Sequence, residues 1–208
     1  MGTTQTKEEK MTLPTTYFGS VDWYRQLINA DEPVHIDANE NYVKQTFRNR
    51  CEIATANGKQ ILTVPVTIPS LKCNIKDVIV SEHGNWRHHH WEALKSAYGM
   101  SPFFDYYQDD IRPFFDKQAF IENNWQHLFD YNLAIIHKMM ELLGVSNHDT
   151  APTSLLYADA TKRSSTYDTL RYYQTFQKKH GFIPGLSILD LLFNEGPESI
   201  LFLCKIPK

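Results

Sequence analysis

Apolar side chains recur along this chain at two spacings, and the change from one to the other falls near residue 85. Upstream the pattern is short and β-like. Residues 12–18 suit an extended segment interrupted by Pro14, and residues 21–30 a short helix with Trp23, Leu27 and Ile28 on its apolar side. Residues 33–37 suit a strand, and 75–80 another short β-type run. The clearest hairpin pairs 47–56 with 60–67 around Asn57-Gly58, a dipeptide suited to a type I′ turn because both central residues need positive φ. Downstream the spacing is helical. It predicts a helix over 85–98 capped by Gly99, and one or two short helices in the aromatic stretch 102–115. The longest helix is expected over 121–143, where Trp125, Leu128, Phe129, Leu133, Ile136, Met140 and Leu143 recur before Gly144. Residues 147–166 look like a linker; 169–179 and 186–194 suit helices, and Pro197 starts a last one running to Cys204. The expected fold is mixed α/β: a small β-sheet in the N-terminal half packed by helices, and a mostly helical C-terminal half. Residues 1–10 form a polar, disordered tail, and 11–208 a single domain.

Composition narrows the function. At 208 residues, with 42% hydrophobic and 13% aromatic content, the chain can bury a core without disulfides or a metal. Its 24 acidic and 21 basic residues leave a net charge of −3, so no global field attracts nucleic acid or an anionic membrane. Any anion site must be local. The cysteines, Cys51, Cys73 and Cys204, are odd in number and show no C-x-x-C spacing, which fits a reducing, cytoplasmic setting. No apolar run is long enough to span a bilayer, and Met1 to Lys10 lack a hydrophobic signal core.

Four constellations carry candidate chemistry. In an extended stretch 44–51, Lys44, Thr46, Arg48 and Arg50 share one face, and Gln45, Phe47, Asn49 and Cys51 the other. Cations in a row need carboxylates, water or a bound anion, and arginine forks suit phosphate or carboxylate. An anion clamp and a solvated sheet face both fit. The second is Trp86-Arg87-His88-His89-His90-Trp91. Adjacent helical positions lie about 100° apart, so the three histidines cannot ligate one ion. His90 falls on a stripe with Trp86, Leu94 and Ala97, where it is either a hydrogen-bonded core residue or a general base in a pocket beside Trp86. Third, His35, Asp37 and Glu40 resemble a weak metal triad or an ordinary polar strand end. Fourth, in the run from His180 to Glu198, Ser187 and Asp190 suit a helix start, and Asn194 with Gly196 a helix stop; Asp190 and Asn194 stand as further site candidates. Walker A, G-x-G-x-x-G, H-E-x-x-H and G-x-S-x-G patterns are absent, so no cofactor is assigned and no metal site is expected.

Several segments in order resemble the WbqC-like family of bacterial proteins. They are Tyr42-Val-Lys44 with Asn49-Arg50, Asn57-Gly58, and Leu62-Thr-Val-Pro65-Val. Trp86 with His90 follows, then Tyr98 with Ser101-Pro-Phe-Phe104, Tyr173-Gln174, Phe182-Ile-Pro184, and Leu186 to Asn194 with Gly196. Thr46-Phe-Arg-Asn-Arg50 and the Gly-Pro-Glu198 ending resemble the branch common in Bacteroidetes. Relatives often open with His-Gln-Pro, where this chain has Thr12-Leu-Pro14. The resemblance implies a transferase of surface-polysaccharide (O-antigen-like) biosynthesis, moving an amino-acyl or acyl group to a nucleotide-linked sugar. A non-catalytic assembly protein of such a complex is the alternative, with Phe103, Phe104, Tyr106 and Tyr107 as an exposed partner surface. On the first reading the substrate is a small molecule bearing phosphate or carboxylate. Lys44, Arg48, Asn49 and Arg50 would hold that group, Trp86 would stack on a sugar or base, and His90 would act as general base.

Overall fold

A computed structural model of the chain describes residues 11–30, 34–145 and 171–204. The expected tail 1–10 and the linker-like 147–166 lie outside the described residues.

The β half is three separate two-stranded ladders rather than one sheet. β1 (Thr12–Leu13) runs parallel to β2 (His35–Ile36), with α1 (Val21–Ile28) between them in sequence. Ser20 caps α1 by accepting from the Trp23 N–H, and the Trp23 indole donates to the Pro14 carbonyl at 3.0 Å. β3 (Arg50–Thr55) and β4 (Gly58–Thr63) form the antiparallel hairpin. Pro65 brings no N–H to a ladder, and β4 has ended by that point. β5 (Val66–Thr67) then pairs with β6 (Ile79–Val80).

Two details of the hairpin differ from expectation. Only Gly58 has positive φ, at 101°, and Asn57 does not. Thr55 pairs with Gly58 around Ala56 and Asn57, the pattern of an ordinary turn closed by a bulge glycine instead of a type I′ turn. The Thr55 hydroxyl stabilises it by donating to the Gly58 carbonyl at 2.8 Å. Also, 44–49 is not strand. The chain turns through Gln45 at φ 61°, and β3 begins only at Arg50. The proposed alternation of Lys44, Arg48 and Arg50 on one strand face is therefore not formed.

The helical half comprises α2 (Trp86–Tyr98), α3 (Phe104–Ile111), a 3₁₀ turn (Arg112–Phe115), α4 (Lys117–Glu122), α5 (Leu128–Leu142), α6 (Gln177–His180), α7 (Ile188–Glu195) and α8 (Ser199–Leu203). The long helix expected over 121–143 is broken at 123–127. Asn124 adopts φ 55°, and the chain becomes extended so that the Leu128 N–H donates to the Val78 carbonyl and the Val80 N–H to that of Gln126. Trp125 leaves the helical stripe and stacks on Phe114 at 4.8 Å. The helix expected over 169–179 shrinks to α6. Upstream of it Tyr172 and Gln174 point inward and Tyr173 outward, and the Gln174 amide bonds both the N–H and the carbonyl of Ile183.

α7 is rich in Ile, Leu and Phe and is buried from Ile188 to Asn194, so it lies in the core. Ser187 caps it, donates its hydroxyl to the Phe18 carbonyl at 2.7 Å, and donates its N–H to the Glu52 carbonyl at 2.8 Å. That residue thus joins α7 to the N-terminal segment and to β3. No helix among the described residues is long and apolar enough to cross a membrane.

A buried ion pair anchors the segment entering the hairpin. The Arg48 guanidinium donates twice to the Glu40 carboxylate, with Nε to Oε1 at 3.0 Å, and both side chains are buried. Burial raises the Glu40 pKa, and Arg48 opposes that rise. Removing one partner strands the other charge in the interior, so Arg48→Ala is expected to cost about 3–5 kcal/mol. Urea unfolding checks this; a loss below about 1 kcal/mol would mean the pair is solvated.

Candidate functional site

A concavity of about 500 Å³ opens at the start of α2. Trp86, Trp91 and Phe115 supply aromatic surface, and Arg87, His88, Arg112 and Lys117 supply nitrogen. Local chemistry explains how these groups are held. The Trp86 indole donates to the Ser81 carbonyl at 3.0 Å, which fixes the ring at the helix start. Arg87 lies 4.5 Å from the Trp86 ring centroid and 4.0 Å from that of Phe120, and its two terminal nitrogens donate to Glu82 at 3.0 and 2.7 Å. Those bonds, and the charge behind them, hold the Glu82 pKa below the usual carboxylate value. Arg112 is exposed and forms no ion pair among the described residues. Lys117 has only a long contact to Glu82, at 4.0 Å. Asp116 is occupied as the cap of α4, accepting from the Ala119 N–H. His88 is exposed and lines the cleft.

Of the run singled out around the histidines, Trp86, Arg87, His88 and Trp91 line this cleft, whereas Lys44, Arg48, Asn49, Arg50, His90, Asp190 and Asn194 do not. His90 sits one turn further along α2, behind the aromatic wall, with ring centroids 5.2 Å from Trp86 and 6.4 Å from Phe115. It is buried, and its Nδ1 is hydrogen-bonded to the Tyr17 hydroxyl at 2.8 Å. A backbone hydrogen bond at Thr63 engages the ring as well. A neutral imidazole offers one N–H and one lone pair. With the N–H given to the Thr63 backbone, Nδ1 accepts from Tyr17. Burial holds the His90 pKa down to about 4, so the ring is neutral near pH 7.

The cations of 44–50 go elsewhere. Arg48 is consumed by Glu40. Asn49 is buried and donates to the Val64 carbonyl at 2.9 Å, a structural tie across the hairpin base. Lys44 is exposed. Arg50 stands on β3 next to Cys51, and alternation puts the two side chains on opposite faces. Cys51 is buried beside Tyr17 and Tyr131, on the His90 side, so Arg50 faces away from the imidazole. Burial pushes the Cys51 thiol pKa well above its usual value, which removes it as a ready nucleophile.

Asp190 and Asn194 form a second buried polar cluster. The Tyr98 and Tyr172 hydroxyls donate to the Asp190 carboxyl at 2.9 and 2.7 Å, and Thr175 donates to Asn194 at 2.8 Å. Burial raises Asp190 to about 6, against the hydrogen bonds that lower it. The cluster pins residues 172–175 onto α7. The metal alternative at His35, Asp37 and Glu40 does not assemble: no three such ligand side chains gather among the described residues, and Glu40 is bound to Arg48. Of the cleft groups not found from sequence, Arg112 comes from the aromatic stretch 102–115, whose only signal was its aromatic content, and Lys117 lies just beyond it.

Two buried groups make opposite pH predictions. His90 has a folded pKa depressed below 6.5, so the folded state binds fewer protons and stability is lost as pH falls from about 6.5 toward 4. The slope is on the order of 1 kcal/mol per pH unit in that window. Asp190 has a folded pKa raised above 3.8, so its contribution is fully present below that value and lost as pH rises through about 6. Urea unfolding at pH 7 and pH 5 is expected to show a smaller acid loss in His90→Gln than in the native chain. Asp190→Asn is expected to gain stability relative to the native chain over the same rise. Parallel pH profiles in all three proteins would contradict the burial of these groups.

Comparison with known proteins bears on this geometry. A family model described as the WbqC-like protein family matches residues 15–172 and 150–201. A protein of Mycobacterium tuberculosis (strain ATCC 25618 / H37Rv) described as uncharacterized protein Rv1507c is 25% identical over 189 residues, which cover 76% of this chain and 81% of its own length. No solved structure gives a significant match. The matched segments take in α2, the hairpin and α7, and the chain belongs to the WbqC-like protein family.

Proposed function

We propose that this chain binds an anionic, ring-bearing small molecule, a nucleotide-linked sugar, in the cleft at the start of α2. There it acts as a transferase of bacterial surface-polysaccharide biosynthesis. The observation that carries this reading is the pairing of aromatic walls with an exposed guanidinium, Arg112, that has no carboxylate partner among the described residues. Aromatic faces suit a sugar or base, and an open arginine fork suits a phosphate or carboxylate. The volume, about 500 Å³, lies in the range of small-ligand sites.

The roles shift from those expected on sequence. Arg112, with Lys117, takes the anion-holding role given to Lys44, Arg48, Asn49 and Arg50. Trp86 keeps its stacking role. His88 is the imidazole placed to accept a proton from an attacking hydroxyl or amine. His90 is a positioning residue that backs the Trp86 ring. Among the described residues the lining holds no serine, threonine or cysteine, and acyl or amino-acyl transfer is assigned here to direct attack of the acceptor on the donor carbonyl. The acceptor loses its proton to His88 and the donor's leaving group departs.

Titration with UDP-sugars, followed by tryptophan fluorescence, is the test. Binding is expected to change the Trp86 and Trp91 emission, with Arg112→Ala weakening it about 10-fold or more, the loss of one charge-assisted contact. His88→Ala is expected to keep binding and lose transfer by about 100-fold or more. No ligand response with any nucleotide-linked sugar, in a protein that unfolds cooperatively, would remove this function. Retained binding with polysaccharide product unchanged in His88→Ala would favour the non-catalytic assembly role. The aromatic surface first drawn for that role is not formed, because Phe104 and Tyr107 are in the core, Phe103 is half-buried, and Tyr106 alone of the four is exposed.

A further inference from the structure

The cationic motif at 44–50 is not absorbed by the cleft, and its surroundings have their own character. Residues 41–42 run antiparallel to 73–74: Asn41 bridges Asn74, and the Tyr42 N–H donates to the Cys73 carbonyl at 2.9 Å. Two loop tips are thereby held side by side. One turns through Gln45, locked by the Thr46 hydroxyl donating to the Val43 carbonyl at 2.8 Å. The other carries Leu71, whose surface is 92% exposed. Val43 and Phe47, on the first tip, are 45% and 38% exposed.

Cations surround these apolar tips. Lys44, Arg50 and Lys72 form no ion pair among the described residues. The Arg50 Nε is shielded from solvent without a hydrogen-bond partner, and Tyr42 lies within reach of the Arg50 charge. Between residues 41 and 76 the sequence holds one carboxylate, Glu52, and it is paired with Lys59 at 2.7 Å. A local positive field therefore stands on a chain whose net charge is −3.

We propose that the paired loops 41–50 and 67–74 dock this protein onto an anionic lipid bilayer. Charge complementarity selects the partner's sign, and the form of the apolar groups selects its kind. They project from loop tips instead of lining a groove or a flat patch. A protein partner would need matching pockets for them, whereas the headgroup and acyl boundary of a bilayer accepts protruding side chains without a preformed shape. Each nearby lysine or arginine strengthens attraction to an anionic surface by about fivefold in binding constant.

The test uses the full chain and sucrose-loaded vesicles. Co-sedimentation is expected with equal parts phosphatidylglycerol and phosphatidylcholine and not with phosphatidylcholine alone, and it weakens as salt is raised. The double variant Lys44→Glu, Lys72→Glu is expected to lose about 25-fold or more in binding, and Leu71→Asp also weakens it. These residues are exposed, so folding is retained, which the unfolding midpoint checks. Failure to sediment with the anionic vesicles at low salt overturns the proposal, as does sedimentation indifferent to both variants. A native dimer that Leu71→Asp converts to monomer, with no lipid response, assigns the surface to a second copy and also overturns it. Nucleotide-sugar binding in the cleft is expected to be the same in all these proteins, so the two proposals fail separately.

Discussion

The neutral imidazole of His90 is the constraint on which the placement of α2, the N-terminal segment and the cleft wall depends. A charged ring would need water or a carboxylate, and the space around it holds Tyr17, Trp86 and Phe115 instead. Kept neutral, the ring spends its N–H on the Thr63 backbone and its lone pair on Tyr17. It can then pack as an aromatic. Trp86, one turn earlier on the same stripe, meets that ring edge to face at 5.2 Å and the Arg87 guanidinium at 4.5 Å, while its indole N–H is held by Ser81. The wall of the cleft is thus set by a core hydrogen bond beneath it.

The arginines follow one rule with different outcomes. A buried guanidinium must be paired, and the way it is paired decides whether it is available. Arg48 is enclosed with Glu40 and serves the fold. Arg87 is bonded to Glu82, but its face lies between two rings, so it shapes the cleft and contributes little free charge. Arg112 stands after the last turn of α3 and makes no ion pair with a described carboxylate, and its charge remains available. Sequence counts three equal cations; the environment separates them.

Much of the architecture was legible because it rests on local signals. α2 ends at Gly99, α7 starts at Ser187, and the hairpin turns at Gly58, each where composition placed it. The failures share a cause in tertiary contacts. The helix expected through Trp125 breaks because residues 126–128 pair with β6 and because Trp125 finds Phe114, and no local pattern encodes either event. The alternation assumed over 44–50 needed an extended chain, and Gln45 in the left-handed region turns it. The stripe containing His90 was read correctly, yet periodicity cannot tell a buried stripe from a pocket wall. The distinction lies in Tyr17, a residue 73 positions away. Arg112 escaped notice because an arginine after a short helix looks like any solvated cation until Trp91 and Phe115 are placed beside it.

The two unabsorbed polar clusters differ in what they can do. Asp190 is enclosed by Tyr98 and Tyr172 on α2 and on the segment before α6, with Gln174 behind Tyr172, so its proton has no path to a substrate. Its value lies in geometry, since it fixes the 172–175 segment against the buried helix α7. The loop tips around Lys44 and Lys72 are the reverse case, with charge and apolar surface displayed and no ion-pair partner among the described residues. Leaving Leu71 in water forfeits roughly 1.5–3 kcal/mol of burial that a folded chain would ordinarily collect. A contact outside the chain recovers that energy, and the surrounding cations restrict which contact it can be.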